Sequence, residues 1–97
     1  MAKLDNKPPS LALYENILKL KTVEECRSFF EDLCSATEVR AMEQRFDVAV
    51  LLSQGKIYND IVGCTGASSA TISRVSRMLS SGTGVLRGIT EQVSDSE

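Results

Sequence analysis

Histidine and tryptophan are absent from this sequence, which removes the commonest general base and the commonest metal ligand together. Most hydrolytic and metal chemistries are set aside on that ground. Cysteine is sparse: Cys26, Cys34 and Cys64 are three in number, eight and thirty positions apart, with no C-x-x-C pair. That odd, wide pattern fits neither a zinc knuckle nor a disulfide framework. On one helix Cys26 and Cys34 would stand about 12 Å apart along the axis, too far to bond to each other. All three are expected as buried core thiols, Cys64 beside a turn among them. No run of 18 apolar residues exists, and Met1 to Pro9 is polar, without the apolar core of a signal peptide. A soluble, cytoplasmic protein with no membrane partner is expected. No paired carboxylates or nucleophile-base pair stand out, and Gly82-Thr83-Gly84 is too short for a dinucleotide fingerprint and follows no strand. An enzyme is not expected, nor any cofactor.

What is present is 97 residues, 42% hydrophobic and 25% charged, enough for one domain. A monomer of this length buries only about 60 to 65% of the surface its unfolded chain exposes, so a partner subunit is favoured from size alone. The net charge is −2, yet its distribution is uneven. Residues 1 to 60 carry eight Lys/Arg against ten Asp/Glu, and residues 91 to 97 carry three acids and no base. Residues 61 to 90 hold Arg74, Arg77 and Arg87 with no acid at all. This is the one electropositive stretch of the chain.

Helical spacing dominates, and no stretch alternates with period two over strand length, so the fold class is all-α. Pro8-Pro9 prevents helix upstream of Ser10, after which Leu11, Tyr14 and Leu18 with Leu13, Ile17 and Leu20 form an apolar stripe. Thr22-Val23-Glu24-Glu25 has capping-box order and opens a second helix with Val23, Cys26, Phe29, Phe30 and Leu33 on one side. Ser35-Ala36-Thr37-Glu38 repeats that order and opens a longer third, predicted to place Val39, Met42, Phe46, Ala49, Val50 and Leu52 inside and Arg40, Glu43, Gln44 and Asp47 mostly outside. Gly55 ends it. The spacing then predicts a short helix over 57–62, a break across Gly63-Cys64-Thr65-Gly66 and a second short helix over 67–79. Three segments result: a flexible N-terminus (1–9), a helical domain (10–82) and a weakly ordered tail (83–97), with one weak turn at Val85–Ile89 and disorder from Thr90 onward.

Tyr58 to Val75 has the spacing of a helix-turn-helix unit. Gly66 sits at the sharp turn, where positive φ is needed. Ile61 and Val62 before it, and Ala67, Ile72 and Val75 after it, let two short helices pack at a steep angle. The other face of the second helix carries Ser68, Ser69, Ala70, Ser73, Arg74 and Arg77. Small, hydrogen-bonding and basic residues suit a helix that enters a major groove about 12 Å wide to touch base edges and phosphates.

The run Gly66 to Arg74, with Ala70-Thr71-Ile72-Ser73-Arg74 its most specific part, follows Gly55 by eleven residues and Arg45 by ten more. Together with Gln44-Arg45 and Phe29 to Cys34, it resembles the tryptophan repressor family, and more closely the tryptophan-repressor-related proteins of the YerC/YecD type. The resemblance covers roughly residues 11 to 82. It implies an intertwined helical homodimer with two recognition helices in successive major grooves of double-stranded DNA, acting as a transcriptional regulator, a repressor. By the same matching, Asn59, Val62, Ser69, Ala70, Thr71 and Ser73 stand where the repressor meets its operator, with Ser68, Arg74 and Arg77 as further DNA contacts. Arg45 and Arg74 match the two arginines that sandwich the tryptophan ring. The glycine and serine that complete that pocket are Val75 and Met78 here, so the matching implies a filled pocket, no tryptophan, and at most an unidentified small-molecule effector. The alternative is a helical homodimer that binds a protein or small effector without DNA as its main partner.

Overall fold

The computed structural model describes residues 8–96. Expectations for residues 1–7 and for Glu97 lie outside the described residues, the flexible start among them. The described residues form α1 (Leu11–Ile17), α2 (Val23–Leu33), α3 (Ala36–Ser53), α4 (Tyr58–Thr65), α5 (Ser69–Ser81) and α6 (Val85–Ser96), with no strand among them. The fold is all-α, as the spacing predicts. The chain divides into two compact units that meet in sequence between Ser35 and Ala36.

In the first unit, α1 starts after the prolines with Ser10 in extended backbone and no side-chain cap. At α2 the Thr22 hydroxyl accepts the Glu25 N–H at 3.0 Å, and the Glu25 carboxylate accepts the Lys21 N–H at 2.9 Å. The capping box therefore closes, one residue further out than its usual form. An exposed Arg27–Glu31 pair at 2.9 Å adds at most about 0.5 kcal/mol. No residue of α1 or α2 is fully buried. Leu18 and Val23 are 85% and 80% exposed, and Leu11, Tyr14 and Leu33 are exposed too.

In the second unit, α3 packs against α4, α5 and α6. The buried core is Val48, Ala49, Ile61, Ala67, Ile72 and Val75, with Leu51, Leu52, Val62, Met78, Leu79 and Leu86 packed against it. Phe46, expected inside, is 38% exposed, whereas Val48 is fully buried. Two residues at 100° each separate them by about 200° round the helix, so they face opposite ways. α3 closes at Gly55 (φ +79°), where the Gly55 N–H reaches the Leu52 carbonyl at 3.0 Å and the Lys56 N–H the Leu51 carbonyl at 3.0 Å. This is the Schellman arrangement that satisfies the orphan carbonyls of a helix end.

The weakly ordered tail expected from residue 83 is instead α6. Leu86, Thr90 and Val93 recur at helical spacing; Leu86 packs on the core, Thr90 is fully buried and Val93 half-buried. The Thr90 hydroxyl donates to the Arg87 carbonyl at 3.1 Å and lies 2.9 Å from the Ser53 hydroxyl of α3. A buried threonine between two apolar residues reads as a polar break in the sequence, and its partner on α3 lies 37 residues away. An exposed Arg87–Glu91 pair at 3.1 Å lies along the outer face. The cysteine expectation also needs correction: Cys26 and Cys34 are half-buried, Cys64 is exposed, and all three thiols are free. Cys64 is exposed near the end of α4, although it follows the fully buried Ile61 by three residues. No helix among the described residues is long and apolar enough to cross a membrane.

Replacing Thr90 by valine keeps the shape but leaves the Ser53 hydroxyl without this partner. Urea unfolding is expected to show a loss of about 1 kcal/mol; unchanged stability would mean that α6 docks through its apolar residues alone.

Candidate nucleic-acid interface

α4 begins at Tyr58 after an extended Ile57 that offers no side-chain cap. It turns Ile61 fully inward, and Val62 packs on the same core. The break predicted over Gly63 to Thr65 is absent, because α4 runs through Thr65 and the non-helical link is residues 66–68, with Gly66 left-handed (φ +71°, ψ +9°) and Ser68 extended. Two bonds hold that last turn: the Gly66 N–H donates to the Val62 carbonyl at 2.8 Å, and the Thr65 hydroxyl donates to the Ile61 carbonyl at 2.7 Å. The same hydroxyl accepts the Ala67 N–H at 3.1 Å. From α3, the Gln44 side-chain amide donates to the Thr65 carbonyl at 3.1 Å. A Cβ built on Gly66 meets nothing within 4 Å, so the glycine answers the left-handed backbone and not a lack of room.

Ser68 starts α5. Its hydroxyl accepts the Thr71 N–H at 3.1 Å and donates to the Thr71 hydroxyl at 3.1 Å, which satisfies one of the free donors of the first turn. Ile72 and Val75 face the core. That orientation leaves Ser69, Ala70, Ser73, Arg74 and Arg77 exposed on the other side, with Thr71 half-buried between the two faces. Asn59 is exposed on α4, and Val62 is half-buried. The ion pairs of the described residues join Arg27 to Glu31 and Arg87 to Glu91; among those residues Arg74 and Arg77 have no carboxylate partner. Their charge, and the positive end of the α5 dipole, face solvent from a stretch that has no acid between Asp60 and Glu91.

The four residues matched to the tryptophan site are distributed differently. Val75 is fully buried against Val48 and Ile61, and Met78 packs on that core. Arg45 is half-buried on α3, and Arg74 is exposed on α5. An open groove of about 340 Å³ lies elsewhere in this unit, lined by Phe46, Asp47, Val50, Leu51, Cys64 and Val93 among others, and none of the four residues borders it.

Sequence reasoning missed Gln44 and Thr65, which tie the turn together. Gln44 is half-buried rather than outside. A threonine in the last turn before a glycine is a readable signal, since its hydroxyl can bond back to the carbonyl four residues earlier. The Gln44 bond spans 21 residues and leaves no local pattern.

A family model described as Trp repressor protein matches residues 10–94. Over 85 residues the chain is 44% identical to the uncharacterised protein YerC of Bacillus subtilis strain 168, covering 88% of this chain and 82% of that protein. Among solved structures, a TrpR-like protein from Eubacterium eligens ATCC 27750 is similar with a TM-score of 0.80 at 43% identity, covering 84% of each chain. A candidate Trp repressor from Staphylococcus aureus is similar with a TM-score of 0.78 at 40% identity, covering 96% of this chain and 87% of the other.

Thr65→Val removes the hydroxyl that both sides of the turn use. It is expected to cost about 1 to 2 kcal/mol in denaturant unfolding, with Thr65→Ser closer to the parent. A larger loss in Thr65→Ser than in Thr65→Val would assign the effect to the methyl group instead.

Proposed function

The chain belongs to the Trp repressor protein family, and from that premise we propose that it is a sequence-specific DNA-binding transcriptional regulator, a repressor, acting in the cytoplasm as a homodimer. The observation that carries the reading is the exposed face of α5: Ser69, Ala70, Ser73, Arg74 and Arg77, small or hydrogen-bonding toward the N-terminus and basic further on. A helix of this kind fits a major groove, where hydroxyls and methyls read base edges and arginine takes guanine or phosphate. Asn59, at the start of α4, and Ser68 and Thr71, in the cap of α5, complete the contact set. Ala70 meets a thymine methyl.

Dimerisation is supported by the first unit, whose helices bury no residue fully and leave Leu11, Leu18, Val23 and Leu33 exposed. Apolar surface of that extent marks an interaction face, and a second copy of this chain is its occupant. The dimer then presents two α5 helices to half-sites about one helical turn, roughly 34 Å, apart.

Tryptophan is not the corepressor in this reading. The methyls of Val75 stand in the space the indole needs, and the Met78 thioether is a weak acceptor for its N–H. Any small effector of the dimer has different chemistry. The net charge of −2 favours the other reading, a helical dimer whose main partner is a protein. A salt slope near zero in a DNA titration supports that alternative, since true phosphate contacts release counterions.

The test is selection of bound sequences from random duplex DNA at near-physiological salt, with and without L-tryptophan. An enriched two-fold-symmetric site in both arms is the expected result; enrichment only with tryptophan overturns the filled pocket, and none in either arm overturns DNA recognition. On the enriched site Arg74→Ala is expected to lower affinity by about 1 to 3 kcal/mol, read by a binding titration. Unchanged affinity would remove Arg74 from the contact set.

A further inference from the structure

We infer that Gln44 is a positioning residue for recognition: from the long helix α3 it holds the carbonyl that closes α4, and so sets the direction in which α5 leaves the turn. The inference rests on the DNA-binding reading above. Its basis is the bond from the Gln44 side-chain amide to the Thr65 carbonyl, at 3.1 Å and half-buried. The Thr65 carbonyl is among the last carbonyls of a helix, which have no intrahelical partner. The next residue, Gly66, is the left-handed one.

Three hydrogen bonds that involve a side chain meet on Thr65. Two are local: its hydroxyl donates back to the Ile61 carbonyl and accepts the Ala67 N–H, welding the end of α4 to the entry of α5. The third, from Gln44, reaches outside the pair, to α3. α3 also holds α4 and α5 through apolar packing of Val48, Ala49, Ile61, Ile72 and Val75. Apolar burial is non-directional, so it keeps two short helices against a long one but resists rotation weakly. A hydrogen bond restricts distance and angle together. Reading base edges demands that same accuracy at the far side of α5, because a side chain displaced by an ångström loses its bond to the base while phosphate attraction persists. Gln44 thus acts on sequence preference rather than on general affinity for DNA.

Two near-isosteric variants of the full chain test this. Gln44→Met removes the donor. Gln44→Glu replaces it with a carboxylate oxygen facing the Thr65 carbonyl. The probes are a duplex carrying the site selected by the parent protein and a scrambled duplex of equal length, titrated at two salt concentrations alongside thermal melting. Both variants are expected to melt cooperatively. Gln44→Met should keep the parent's affinity and salt slope on scrambled DNA while its preference for the selected site falls about fivefold, and Gln44→Glu should fall further. Amide exchange at Gly66 and Ala67 should quicken in both variants, with the middle of α3 unchanged.

Preference retained in both variants overturns the inference. So does a fall in affinity that is equal on the two duplexes, because that is the mark of lost stability or charge. A parent protein that prefers no sequence overturns the DNA-binding reading itself, and with it the recognition role of Gln44; unchanged amide exchange at Gly66 and Ala67 separately overturns the hold on the turn.

Discussion

The contact between α3 and the two short helices after it, made by Val48 and Ala49 on one side and Ile61, Ile72 and Val75 on the other, is the constraint on which residues 36–96 depend. Ile61 fixes which side of α4 is solvent, and Ile72 with Val75 fixes which side of α5 is solvent. The exposed face of α5 is therefore a by-product of core packing. Its serines and arginines point outward because valine and isoleucine at the intervening positions point inward.

Much of this was legible in the sequence. Ser68 before a helix, Gly66 at a turn, and Ile61, Ala67, Ile72 and Val75 at helical spacing are local signals, and each lies where local physics places it. The capping order at Thr22 was legible for the same reason. Three features were not. α6 carries its buried contact on a threonine, which periodicity counts as polar although a hydroxyl from α3 satisfies it. α3 is covered on more than one side, so a single apolar stripe mispredicts Phe46 and omits Val48. Gln44 acts through one bond to a backbone atom, and backbone partners carry no sequence signature. Family likeness was readable from the Ala70 to Arg74 motif and is matched by the family model over residues 10–94.

Val75 shows how fully one side chain of the recognition helix is given to the fold. Its side chain is wholly within the core. A smaller residue there would open room only by removing core contacts, at the cost that cavities in small cores carry.

Gly66 imposes a different kind of limit. Because nothing lies near the place a Cβ would occupy, substitution at this residue is filtered by dihedral angle and not by size. Asparagine, which tolerates the left-handed region, can enter through drift, whereas alanine, though smaller, is resisted and β-branched residues more so. Divergence among relatives at this turn should therefore follow backbone tolerance, while a few residues away, at Ala67 and Val75, it should follow volume.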